Sequence, residues 1–255
     1  MIRLFYLDYR ALLRERKVAV AAGLFLYAIV SMPALFSKPP AHVVQAIQQW
    51  FGTSDPFAMF LYMWTDLAMN KLAAVVAVVV AGGLLARERD TGVLPLLLSK
   101  PVVPGRYFLV RLASAWAVIA TLYVGAHAVG AVVFWRTVEG FRPGLFFASM
   151  SLHLFTLLFS AALSAMIAVM MKRRAMAMIT SLLVLISLMG ASFVGFYQPA
   201  WRTASLFNPF TLGVQVLAHL DSLSWHHVAA PMAALIALTL AAAGAGALAV
   251  RRIEV

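Results

Sequence analysis

Five polar side chains stand inside otherwise apolar stretches: Asp66, Asn70, Lys71, His127 and His153. Charge within a membrane span is costly and often functional, as a proton carrier, an ion ligand or a pathway lining. Asp66 and Asn70 are four apart and share a helix face. Asp66 and Lys71 are five apart, about 140° around a helix, and do not pair on one face. A span counted back about 20 residues from Ala86 puts this cluster near the outer interface, where water and headgroups satisfy it. There Asp66 either lines an outward vestibule or is simply solvated. His127 and His153 sit at matching depth in two consecutive spans joined by a short loop. They either bond to each other, face a pathway, or hold two helices together.

A second candidate is Glu88–Pro101. Arg87, Glu88, Arg89 and Asp90 mark a water boundary. Thr91 is placed to cap a short helix with Leu94 and Leu96–Leu98 on its body. Pro101 ends it, because the residue before proline avoids helical angles. An apolar knob on the water side of a loop needs a partner to bury it.

The elements that must position these residues follow from composition. The chain has 255 residues, 64% hydrophobic and 11% charged, with mean hydropathy +0.92. This is a polytopic membrane composition. Six runs approach the length of an apolar span: about 18–36, 66–86, 108–135, 144–170, 175–196 and 229–250. The first is longer than a signal-peptide core, lacks a small-x-small cleavage site and is expected to be retained. Fifteen Lys and Arg fall on the side of both termini and four on the other, which puts the termini in the cytoplasm. A net charge of +11 spread over short loops does not argue for nucleic acid. Trp50, Trp64, Trp135, Trp201 and Trp225 fall at or beyond the expected outer boundary.

Residues 1–17 are expected to lie on the inner surface as an amphipathic helix, with Ile2, Phe5, Tyr6, Tyr9, Leu12 and Leu13 opposite Arg3, Arg10, Arg14 and Lys17. Leu206–Leu220 is apolar but broken at Asn208–Pro209, and reads as a re-entrant or interfacial segment before the last span. Ala241–Ala247, with Gly244 and Gly246, permits close helix approach, within one subunit or across a dimer seam. The fold class is all-α: one transmembrane domain over 1–255.

Other chemistries lack their residues. There is no cysteine, no HExxH, no Gly-x-Ser-x-Gly and no pair of intramembrane aspartates, which argues against an intramembrane enzyme. No Gly-Lys dipeptide occurs, so the chain holds no Walker loop. The scattered methionines, His226 and His227 make no metal pattern.

The loop after the second span resembles that of the ABC-2 family of ABC-transporter permeases. Glu88 matches its glutamate, Gly92 its glycine, Leu97 and Leu98 its leucine pair and Pro101 its proline. Arg111 falls where a lysine often enters the third span. Val93 stands for the usual threonine, Pro95 is extra, and Pro104 replaces a basic residue. The resemblance implies that Glu88, Asp90, Thr91, Gly92, Leu94, Leu97, Leu98 and Pro101 form a cytoplasmic coupling helix. It would dock on a separate ABC ATPase that binds ATP and Mg. A second permease chain, identical or paralogous, would complete the pathway in a bacterial inner membrane, amid lipids and with room for a periplasmic accessory protein. No cofactor and no catalysis would reside in this chain. The implied direction is export, of small, lipid-like or maturation-related cargo. The rival is an ion-coupled transporter or channel working alone, which requires a buried carboxylate near the midplane.

Overall fold

The computed structural model describes residues 1–36, 41, 44–45, 48–49, 55–86, 88, 92, 103–197 and 199–251. Among them there is no strand. Helix α1 spans Ile2–Leu13 and α2 Arg16–Phe36. Helix α3 runs Pro56–Ala81, α4 Pro104–Thr137, α5 Pro143–Met170 and α6 Arg174–Tyr197. After single turns at Pro199–Trp201 and Arg202–Ser205 come the short α7, Pro209–Gly213, and a 3₁₀ turn at Gln215–His219. Helix α8, Trp225–Val250, is last. Helices α2, α3, α4, α5, α6 and α8 are long and apolar enough to cross a membrane. The protein is a multi-pass membrane protein.

The helix starts are written locally. Pro56, Pro104 and Pro143 each occupy the first turn, where a missing N–H costs nothing. Asp55 caps α3 by accepting from the Phe57 N–H at 3.0 Å. Gly140, at φ +66°, turns α4 into α5 in a conformation that suits glycine.

Helices α3 and α5 are the centre of the bundle, with 71% and 72% of their most apolar windows buried. The corresponding share is 33% in α2, α4 and α8 and 22% in α6. Their outward residues, such as Val124, Val132, Ile179, Leu183 and Leu240, are apolar and exposed, as a lipid-facing shell requires. Around α3 the interior is aromatic. Phe60 and Trp64 stand 4.8 and 4.7 Å from Phe134 between ring centroids, and Phe146 closes on Phe134 and Phe141.

The second span starts ten residues earlier than expected and ends five residues earlier, at Ala81 rather than Ala86. The charge of Asp66 suggests a span boundary, which leaves Pro56–Thr65 outside the expected span. In the structure that stretch is the first half of α3, and Gly82 is the C-cap of α3. Trp64 correspondingly lies in the core, 1% exposed, whereas Trp135, Trp201 and Trp225 are exposed. Trp50 lies outside the described residues.

The N-terminal helix forms, but its buried stripe is not wholly apolar. Asp8 and Leu12 are its buried residues, while Ile2 and Tyr6 are exposed. The broken segment around α7 packs deep. The Thr156 hydroxyl, thirteen residues into α5, donates to the Pro209 carbonyl at 3.1 Å, and Asn208 Nδ2 donates to the Leu188 carbonyl at 2.6 Å. In the small-residue stretch of α8, a Cβ on Gly246 would come 2.5 Å from Phe108, while one on Gly244 would meet nothing within 4 Å. Gly246 therefore serves packing within the chain, and Gly244 faces outward.

Candidate functional sites

Helix α3 changes pitch where its polar residues stand. Met63–Met69 is a π-helical turn, with Asp66 at its middle and Asn70 just after it. Such turns are uncommon and recur at functional sites, because the extra residue re-aims the side chains that follow. Asp66 is ten residues in from Pro56, and His153 ten in from Pro143, so both lie about 15 Å from the same end of the bundle. His127 is ten residues from Thr137, at the same level.

These residues form one chain of hydrogen bonds across three helices. Asn70 Nδ2 donates to Asp66 Oδ1 at 2.8 Å. Asn70 Oδ1 is then the acceptor facing His153 Nε2 at 3.0 Å, so that nitrogen carries the proton. His153 Nδ1 is left to accept from the Tyr123 hydroxyl at 2.9 Å. Three donors in series therefore point towards Asp66. The Tyr123 hydroxyl also lies 3.4 Å from Met150 Sδ. Asp66 is 5% exposed, and Asn70 and His153 are inaccessible. Tyr62 also interacts with the Asp66 carboxylate. Asp66 Oδ2 nevertheless makes no hydrogen bond of good geometry among the described residues. Lys71 is exposed and forms no salt bridge with Asp66 among the described residues.

The interfacial placement of Asp66 and Asn70 is thus corrected. They are interior residues: Asp66 is bonded within its own helix by Asn70, and Asn70 is bonded across to His153 of α5. The two histidines do not bond to each other either. Both hold Tyr123: His153 binds its hydroxyl, and His127 Nδ1 donates to its carbonyl at 2.8 Å. His127 Nε2 and Trp64 Nε1 are buried without a hydrogen-bond partner among the described residues, their rings 5.7 Å apart. Tyr123 escaped the sequence reading, although its position four residues before His127 puts both on one helix face.

The second site lies at the other end of the bundle. Arg111, in the second turn of α4, bonds Asp8 of α1 through Nη1 and Glu88 through Nη2, the latter at 2.5 Å. The Asp8 and Glu88 side chains are 5% and 13% exposed. Around this triad, Ser114 Oγ donates to the Phe5 carbonyl at 3.2 Å and Tyr9 pairs with Thr121 at 3.1 Å. The chain reaches Glu88 through Gly82–Leu85. Leu85 there takes φ +62°, a left-handed conformation that a branched side chain rarely adopts. Arg174 of α6 closes against this turn, so that a Cβ on Gly83 would come 2.8 Å from Arg174 Nε. Four elements thus meet where the loop leaves the bundle: α1, the end of α3, α4 and α6.

Of the loop residues singled out from sequence, Glu88 and Gly92 are described. Gly92 is exposed at φ +68°, which favours glycine. Asp90, Thr91, Leu94, Leu97, Leu98 and Pro101 lie outside the described residues. Asp8 was missed, although it is the only acidic residue among the first fourteen and shares the Phe5–Leu12 stripe.

Neither a protein-family model nor a curated protein matches the sequence. No group of three His, Cys, Asp or Glu residues suited to a metal occurs among the described residues.

Proposed function

We propose that the chain is the membrane-spanning subunit of an ABC-2-type transporter, with the Arg111 end of the bundle in the cytoplasm. One observation carries this reading. The glutamate that opens the loop is tied through Arg111 to the surface helix and to the third span. Force applied to that loop is therefore delivered to α1 and α4 together, as ATP-driven coupling requires. Glu88 would position the loop rather than dock on the ATPase, and Leu94, Leu97 and Leu98 would supply the docking surface. The aromatic packing between α2, α3, α4 and α5 favours a pathway between two permease chains over one through a single chain. The outward-facing Gly244 is compatible with a helix seam between them. The segment around α7, bonded to the middle of α5, would act as a re-entrant element on the outer side. Small, lipid-like or maturation-related cargo moved outward from a bacterial inner membrane fits this plan.

The test is co-purification from the native membrane in mild detergent, with mass-spectrometric identification of any Walker-motif ATPase. Recovery with the wild type and loss with Leu97→Asp supports the reading. A wild-type chain that transports in liposomes without ATP and without an ATPase overturns it.

A second reading is favoured by the position of Asp66. An ion-coupled transporter needs a carboxylate well inside the membrane, and Asp66 is buried about 15 Å along a 26-residue span. Dependence of transport by the purified chain on an imposed ion gradient would support it.

A further inference from the structure

We propose that Asp66 is a reversible proton-binding site within the membrane, and that the chain Asn70–His153–Tyr123 senses its charge. This rests on neither functional reading above.

An ionised carboxylate in an apolar interior is tolerated when a countercharge or several donors stabilise it. Asp66 Oδ1 accepts from Asn70 Nδ2, with Tyr62 beside the carboxylate, and Oδ2 makes no bond of good geometry among the described residues. The titratable groups around it come from each packed helix. Helix α3 contributes Tyr62 and Lys71, the latter exposed. Helix α4 contributes Tyr123 and His127, and α5 contributes His153. Helix α2 presents Phe25 to Tyr123 and His127. Between Ala175 and Ser192 of α6, and between Val228 and Val250 of α8, there is no titratable residue. The Lys71 ammonium acts on Asp66 from the exposed side without an ion pair among the described residues, and a proton on Oδ2 would neutralise the carboxylate outright.

The ligand is a proton rather than a metal cation. A hard cation asks for about six oxygen ligands. The neighbour of Asp66 Oδ1 is instead an amide N–H aligned as a donor, and the Asn70 oxygen is already taken by the His153 imidazole N–H. The step is a plain transfer: hydronium gives its proton to Oδ2, an O–H bond forms there, and water leaves. No electrons move. With Asp66 ionised, the donor series Tyr123 to His153 to Asn70 ends on a negative charge, and charge assistance shortens and strengthens such bonds. With Asp66 protonated, that assistance is lost. The Tyr123 hydroxyl is then released from His153 towards Met150 Sδ, and the tie between α3, α4 and α5 loosens.

The experiment uses the intact chain in lipid nanodiscs, titrated between about pH 5 and about pH 8. Infrared difference spectroscopy reads the carboxylic-acid C=O band, and nitrogen NMR of labelled histidine reads His153. The expected result is a C=O band that grows on acidification, with His153 shifts that move at the same midpoint. Asp66→Asn should abolish the band and the coupled shift. Asn70→Leu should keep the band but uncouple His153. A wild-type band that is absent, or present and constant, across this range overturns the proposal. So does a band removed by sodium at fixed pH, which would mark a metal-cation site, or a His153 signal indifferent to Asp66. The wild-type titration decides even if a variant fails to fold.

Discussion

Arg111 of α4 is hydrogen-bonded to Asp8 of α1, two residues 103 positions apart in sequence. The contact turns the N-terminal helix from a loose surface anchor into part of the bundle. The same guanidinium holds Glu88, so the N-terminal helix and the start of the loop share one cation.

Removing that cation leaves two nearly buried carboxylates facing each other. Arg111→Ala is expected to destabilise the protein by about 3 kcal/mol. Arg111→Lys should rescue only part of this, because a single ammonium lacks the fork that reaches both partners. Thermal unfolding in detergent measures both. A double-mutant cycle with Asp8→Asn should show coupling of about 1 kcal/mol or more. Strict additivity would mean that the pair carries no joint energy.

The two membrane histidines should differ sharply. His153→Phe strands Asn70 Oδ1 and weakens the setting of the Tyr123 hydroxyl, at about 1–3 kcal/mol for each buried group left unpaired. His127→Phe removes one bond to a carbonyl within the same helix and keeps the ring volume, so it should cost less than about 1.5 kcal/mol. Equal losses of thermal stability would contradict the asymmetry of the network.

Gly244 and Gly246 separate packing within the chain from contact with another. Gly246→Leu drives a side chain into Phe108 and should destabilise the monomer by about 1–3 kcal/mol. Gly244→Leu should leave the thermal midpoint unchanged. If a second chain packs on that face, the substitution should shift the oligomeric state towards monomer, as read by light scattering in detergent.

The segment around α7 is pinned to α5 by Thr156. Thr156→Val should cost about 1 kcal/mol and raise hydrogen exchange across 206–213 while α5 stays protected. Gly213→Val should do more, since its Cβ would come within 2.3 Å of Thr156 Oγ1. Unchanged exchange in both variants would show that the Pro209–Thr156 contact does not hold the segment.

Apolar run length was enough to read the number of spans, because a bilayer core demands about 20 helical residues whatever the helices later do. The start of α5 near residue 144 and the broken stretch at Asn208–Pro209 were also legible, since proline and a capping side chain act within a few residues. The register of α3 was not. Asp66 looks like an edge when each residue is scored for water or lipid, and it becomes interior only because His153 and Tyr123, on two other helices, extend its hydrogen-bond chain. Trp64 lies in the core because rings from another helix, Phe134 and His127 of α4, pack against it. The Asp8–Arg111–Glu88 triad likewise unites residues whose local surroundings predict three separate surface charges. The sequence by itself determined that these segments are helical and apolar, through forces that act along the chain. Which polar residues could be buried was decided by the tertiary structure, because Arg111 for Asp8 and His153 for Asn70 come from other helices.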